Sequence, residues 1–139
     1  MTKSIMTVLS VLLFSTLTCA GTPPTEVQRA FEQRFAKATN IKWAKENSKV
    51  WEAEFTLDGT KVSANFYSDG TWVETEKEIS VSELPSKVSA SIKQLNPNCE
   101  IVSAYKNESA TKPRKYEADI KTSKTKKEVI LFEAGTFAK

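Results

Sequence analysis

The sequence predicts an α+β fold in which a helix followed by four antiparallel strands occurs twice, both helices packing on one face of a continuous curved sheet. Three observations carry that expectation. The chain repeats itself, each repeat opens on a helical apolar period just after a proline, and each then changes to a two-residue period cut by turn residues.

The repeat is read by sliding the sequence on itself. At an offset of 65, Trp51-Glu52-Ala53-Glu54-Phe55 falls on Tyr116-Glu117-Ala118-Asp119-Ile120, Gly70 on Gly135, and Trp72 on Phe137. At an offset of 61, Pro24 meets Pro85, Val27 meets Val88 and Phe31 meets Ile92. The difference of four residues places an insertion between Asn107 and Arg114. The units are residues 22–79 and 80–139. Half-chains of about 60 residues bury too little surface to stand comfortably alone, so the two are expected to fold together as one domain.

Ahead of them, Lys3 and the apolar run Ile5 to Leu17 lead to Thr18-Cys19-Ala20, the pattern of a secretory signal peptide over residues 1–20. Cleavage after Ala20 is favoured over lipidation of Cys19, because Thr16 and Thr18 stand where a lipoprotein signal wants an aliphatic and a small residue. The protein is therefore expected to be exported, periplasmic or secreted. Its apolar run falls short of the roughly 20 residues of a membrane span.

In the first unit, Pro24 suits an opening helical turn, and Val27, Ala30, Phe31 and Phe35, with Arg34, follow at helical spacing. In the second, Val88, Ser91, Ile92 and Leu95 follow Pro85, and Pro97 ends the helix. Cys99, the only cysteine after the signal, fits as a small, mainly buried residue.

The strands come next. Ile41 and Trp43 alternate with Lys42 and Ala44. Asp58-Gly59 and Asp69-Gly70 are two-residue hairpin signals. With both as two-residue loops, Phe55 lies opposite Val62, Tyr67 opposite Trp72, and Phe66 opposite Val73, and opposed residues share a face. One face then carries Trp51, Ala53, Phe55, Val62, Ala64, Phe66 and Val73 under the helix. The other carries Glu52, Glu54, Ser63, Asn65, Tyr67, Trp72, Glu74 and Glu76. The second unit assigns Tyr116, Ala118, Ile120, Val129 and Leu131 to the helix face. It leaves Glu117, Asp119, Glu128, Ile130, Phe132 and Phe137 on the open one.

The candidate binding residues are accordingly Tyr67, Trp72, Phe132 and Phe137, with Glu52, Glu54, Glu117 and Asp119. Exposed aromatic clusters mark interaction sites, and the carboxylates favour a basic protein or peptide partner. Cross-strand aromatic pairs also fix register, so a purely structural role stays open. The residues from Lys112 to Lys127 are rich in Lys and Arg, which fits solvated hairpin tips or a weak site for an acidic partner. A net charge of +3 over the whole chain gives no reason to expect nucleic acid.

Catalytic signals are absent. The chain has no His and only four Gly, which excludes Ser-His and Cys-His pairs, the commonest metal ligand and a glycine-rich phosphate loop. Paired carboxylates on an open face lack the pocket that would push their pKa values apart. No enzyme activity, cofactor or metal is expected.

The "LP…V…I" helix and "IKWAKENSKVWEAEFTLDGTKVSANFYSDGTWVETE" resemble the PepSY-like family of exported bacterial proteins, described as beta-lactamase-inhibitor-like. The resemblance covers both units. The first is the closer match, through Trp43, Glu52 to Phe55 and Asp69-Gly70-x-Trp72; the second departs at its turns, with Ser123-Lys124 for Asp58-Gly59 and Ala134 for Asp69. The resemblance implies the fold of the beta-lactamase inhibitor protein and carries no catalytic residue. Three functions follow as expectations: a non-enzymatic binding module using the open face, an inhibitor of a secreted peptidase or beta-lactamase by fold analogy, or a carrier of a small ligand or envelope glycan.

Overall fold

The computed structural model describes residues 20–138. The expected signal peptide, and with it Cys19, lies outside the described residues apart from Ala20, which bridges to Ala44. The order of elements is α1 (Thr25–Arg34), β1 (Thr39–Lys45), β2 (Val50–Leu57), β3 (Thr60–Tyr67), β4 (Trp72–Ile79), a 3-10 turn (Val81–Glu83), α2 (Ser86–Leu95), β5 (Glu100–Ser109), β6 (Lys115–Lys121) and β7 (Lys126–Phe132). All seven strands join one antiparallel sheet in chain order. Pairing of β4 with β5, from Glu74–Ser109 to Ile79–Ala104, makes it continuous.

The first helix is followed by four strands as expected, the second by three. In place of an eighth strand, Phe137 forms a single bridge to Leu131, and the Ala138 amide donates to the Ile130 carbonyl at 2.8 Å. The region expected to hold the insertion is where β5 runs on to Ser109 and turns toward Arg114.

Both helices cover the same face. Val27 and Phe31 of α1 pack on Ala53, Phe55, Val62, Ala64 and Phe66. Val88 and Ile92 of α2 pack on Ala104, Tyr116, Ala118, Ile120 and Leu131. The pairs Ala64–Thr75 and Thr75–Glu108 carry one face across the middle of the sheet, and Ala104 lies on that face four residues from Glu108. The first cluster is aromatic at its centre: the Phe31 ring stands 4.9 Å from Phe55, 5.1 Å from Trp43, 5.4 Å from Phe35 and 6.2 Å from Phe66.

Three expected core positions differ. Ile41 is exposed, because a bulge between Thr39 and Lys42, with Asn40 at φ 54°, re-aims the start of the edge strand. Leu95 is exposed at the last position of α2, beyond the buried Val88 and Ile92. Val73 is half-buried at a bulge in β4. Cys99 is half-buried against the second cluster.

Two tight turns share the Asp-Gly dipeptide and differ in type. Asp58 (φ 50°) and Gly59 (φ 78°) form the expected two-residue loop, with Leu57 paired to Thr60. At Asp69-Gly70 only the glycine is left-handed, at φ 88°. The Tyr67 amide donates to the Thr71 carbonyl at 2.8 Å, and the Gly70 amide to the Tyr67 carbonyl at 2.9 Å. The loop is therefore three residues, Ser68 to Gly70, the next common hairpin length. The Asp69 carboxylate braces it by accepting from the Thr71 amide at 2.8 Å. This corrects the register at one place. Trp72 lies opposite Phe66, Val73 is the extra residue of the bulge, and the expected pairing resumes at Asn65–Glu74. The same loop recurs at Gly135, whose amide donates to Phe132, and Phe137 lies opposite the fully buried Leu131. Trp72 and Phe137 are thus on the helix face, contrary to expectation.

At the β6–β7 turn, Ser123-Lys124 does without Asp-Gly because the Thr122 hydroxyl accepts from the Lys124 and Thr125 amides at 3.3 and 3.0 Å.

Candidate binding face

Strand register sorts the candidate residues. Tyr67 lies on the open face beyond Asn65 and is 44% exposed. Phe132 lies on the open face opposite Lys115. Trp72 is instead tied to the helix side: its indole Nε1 donates to Thr75 at 2.9 Å, and the Arg34 guanidinium of α1 stacks 3.6 Å from its ring centre. Such cation–aromatic stacking, with Arg34 in the last turn of the helix, fixes the helix end to the sheet. Phe137 is 37% exposed, but on that same side. The open-face aromatics are therefore Tyr67 and Phe132, with Tyr105 of β5 added by its pairing with Glu117.

The carboxylates do assemble on the open face. One row across the sheet runs Lys42, Glu54, Ser63, Glu76, Asn107, Lys115 and Phe132; each neighbour is a directly paired residue on the next strand. A flanking row runs Glu52, Asn65, Glu74 and Ser109. On the other flank, Glu117 lies between Tyr105 and Ile130, and Asp119 between Ser103 and Glu128. Asp119 accepts from the Ser103 hydroxyl at 2.8 Å and meets Lys126 at 3.6 Å. The face encloses a concavity of about 540 Å³ bordered by Lys42, Glu54, Lys61, Glu76, Glu78 and Tyr105.

Crowded acids in a partly dry place resist ionisation. Burial, reinforced by Glu54, Glu46 and Glu74, holds the Glu52 carboxyl above the ordinary range. Burial pushes Glu76 up to about 7, with Glu128 and Glu74 adding to it and a hydrogen bond with Asn107 opposing. Glu117 is the one buried charged residue among those described, 6% exposed. Burial, then a hydrogen bond with Glu128 and the charge of Glu76, push it up to about 9.

These shifts give a stability prediction. A carboxyl whose pKa is raised in the folded state contributes stability that is present below the unfolded value, near 4.5, and is lost as pH rises through the folded value. Thermal unfolding at pH 5, 7 and 9 should show a melting temperature that falls with pH. The Glu76→Gln, Glu117→Gln double variant should hold nearly level. A wild-type melting temperature that rises across this range would contradict the assignment.

The basic residues between Lys112 and Lys127 do not form one patch. The strand β6 separates Lys112 and Arg114 at one end of the sheet from Lys121, Lys124, Lys126 and Lys127 at the other, and Arg114 is engaged by Glu108 at 3.0 Å and Glu133 at 3.6 Å. Among the described residues there is no group of acids, Cys or His arranged to hold a metal, and no helix long and apolar enough to cross a membrane.

A family model described as "Putative beta-lactamase-inhibitor-like, PepSY-like" matches residues 49–139. The match takes in β2 onward and leaves α1 and β1 outside it, a narrower span than the resemblance implied. No curated protein matches the chain. Among solved structures, the chain is similar to a "putative periplasmic" protein of Bacteroides eggerthii, with TM-score 0.78 and 16% identity over 86% of this chain and 88% of that one. It is also similar to a BLIP-like protein of Bacteroides fragilis, with TM-score 0.72 and 21% identity over 86% of this chain and 85% of the other. At these identities what is shared is the fold.

Proposed function

The chain belongs to the PepSY-like family, and on that premise we propose that it is an exported, non-enzymatic binding protein whose open sheet face receives a protein or peptide partner. The observation that carries the reading is an uncovered face. Both helices lie on the other side, while Tyr67, Phe132, Glu52, Glu54 and Asp119 lie on this face with Tyr105, and Glu54 and Tyr105 border its concavity. Aromatic anchors beside a face on which carboxylates outnumber lysines are what a basic partner uses. Trp72 and Phe137 are left out of the contact set, since they lie on the helix face. We further read residues 22–79 and 80–139 as two copies of one unit that fold as one domain. Gly70 backs onto Glu26, and Gly135 backs onto Lys87, the residue 61 positions further on (87 − 26).

The test is site-specific photo-crosslinking in the protein's own host. A crosslinker at Tyr67 should trap a discrete partner, and one at Leu95, exposed on α2, should not. With that partner in hand, the Tyr67→Ser, Phe132→Ser double variant should bind at least about tenfold more weakly, roughly the loss of one anchor residue, while keeping its thermal transition. Equal crosslinking from both positions would sink the reading. The family description favours one narrower version, inhibition of a beta-lactamase, which a panel of such enzymes, with secreted peptidases beside them, assayed with the purified protein would detect.

A further inference from the structure

We propose that the end of the sheet at which β1, β3, β5 and β7 begin docks on an anionic lipid surface. The inference stands apart from the open-face reading and takes up the lysines of the β6–β7 hairpin, which that reading leaves unused. Its first support is the placement of exposed aliphatic side chains. Strands paired antiparallel in chain order bring the starts of β1, β3, β5 and β7 and the end of β6 together at one end. Ile41 is the third residue of β1 and Val102 the third of β5, 61 positions further on (102 − 41), and each lies at a bulge. Both are 43% exposed. A bulge re-aims the side chain it carries, and the two units turn the same aliphatic position outward. Leu95 joins them. It closes α2 just ahead of the turn into β5 and is 64% exposed.

The second support is charge. Lys121 ends β6, Lys124 lies in the following turn and Lys127 stands at the start of β7, and all three are exposed. Their neighbour Lys126 is the one engaged by Asp119, at 3.6 Å. Lys61, near the start of β3, adds to them, with Asp58 and Glu100 opposing at the same end.

The third support is span. β1 and β5 stand four strands apart, about 19 Å at ordinary strand spacing. A flat occupant reaches both ends of that distance. Acidic side chains of a protein would answer the lysines alone. A lipid surface takes both features at once, its headgroups drawing the lysines while the aliphatic side chains enter the boundary beneath them. Tyr67 and Phe132 close β3 and β7 at the far end of the sheet, so a docked molecule holds these open-face aromatics away from the lipid.

The test is co-sedimentation of the exported protein with vesicles at physiological ionic strength. Vesicles of phosphatidylglycerol and phosphatidylcholine in equal parts should carry it down, and phosphatidylcholine alone should not. The Lys121→Glu, Lys124→Glu, Lys127→Glu triple variant should partition at least about tenfold more weakly. Lys49→Glu, Lys87→Glu, Lys112→Glu makes the same charge change at the opposite end and should lose less than about threefold. The Leu95→Ser, Val102→Ser double variant should lose about tenfold. Methyl NMR of the wild-type chain on bicelles of the same lipids, with a spin-labelled lipid added, should broaden Ile41, Leu95 and Val102 and spare Val50 and Val73 at the far end. Equal losses in the two triple variants, capture by phosphatidylcholine alone, or no sedimentation with either lipid would overturn the proposal. Soluble polyglutamate that binds the hairpin lysines as tightly as the vesicles do, with Ile41, Leu95 and Val102 unbroadened on the bicelles, would overturn it in favour of an acidic protein partner.

Discussion

Phe31→Ala lowers the free energy of unfolding by about 3–5 kcal/mol, the range for truncating a buried aromatic residue, and lowers the melting temperature by about 10–25 °C for a domain of this size. Phe31 is 2% exposed and is the residue through which α1 meets the sheet. Its ring touches Phe35 at the C-cap of α1 and aromatic partners from β1, β2 and β3, with Phe55 edge-on at 90°. Removing it opens a cavity bordered by rigid rings, which cannot relax into the space as flexible side chains would. Aromatic pairing adds to the loss beyond the buried area. Because small domains are stable by only about 5–15 kcal/mol, the variant should be visibly compromised at 37 °C. Urea unfolding followed by tryptophan fluorescence, with Trp43 beside the cavity, measures it. Phe35→Ala, at the half-buried rim of the same cluster, should cost less than half as much. A loss below about 1.5 kcal/mol for Phe31→Ala would mean that α1 is not held by this cluster.

Most of this fold was legible because the hydrophobic period is a direct record of which face is dry. Trp51, Ala53, Phe55, Val62, Ala64 and Phe66 alternate without error, and every one is buried. The open-face carboxylates followed from the same parity. Besides the missing eighth strand and the exposed Ile41 and Leu95, the reading failed at a narrow place. The dipeptide Asp-Gly occurs twice, and in the first case both residues take positive φ, while in the second only the glycine does. A signal for the difference did exist. The second unit has Ala134 where the first has Asp69, and alanine is a poor occupant of a turn that needs positive φ at both positions. Glycine alone is retained in both, as a three-residue loop requires. The single added residue, Val73, moved Trp72 to the other face, since a one-residue slip inverts every side chain until it is compensated. The bulge confines that inversion to Trp72, and Glu74 and Glu76 stayed where they were expected.

The carboxyl cluster was only half legible for a different reason. Parity places Glu52, Glu54, Glu76, Glu117 and Glu128 on one face, but it says nothing about how far apart they lie. That depends on the pairing of β4 with β5, which joins the two halves of the sheet and brings Glu76 toward Glu117 and Glu128. Tyr105 and Asn107 were missed because β5 has no turn dipeptide before it to fix its register. Their places follow from pairing with Glu78 and Glu76.

The second large effect is expected at Gly70, where conformation and packing act together. Gly70→Ala should destabilise the protein by about 2–5 kcal/mol, and Gly59→Ala by only about 1 kcal/mol. Both glycines have positive φ, 88° and 78°, so both substitutions carry the left-handed strain of an L residue. They differ in surroundings. A Cβ on Gly59 meets nothing within 4 Å, whereas one on Gly70 would stand 2.7 Å from the Glu26 carbonyl oxygen and 3.1 Å from its carbon. Those are backbone atoms in the first turn of α1 and cannot rotate aside, so the helix or the hairpin must move. Moving either one disturbs the stacking of Arg34 on Trp72 and the seating of Phe31. The comparison separates the two contributions: Gly59→Ala measures strain alone, and the excess at Gly70 measures the helix–turn contact. Denaturant unfolding of the two variants, with the slopes compared to confirm an unchanged transition, gives both numbers. Equal losses would mean that the turn does not press against α1, and the contact now assigned to fixing the three-residue loop would have to be sought within the loop itself.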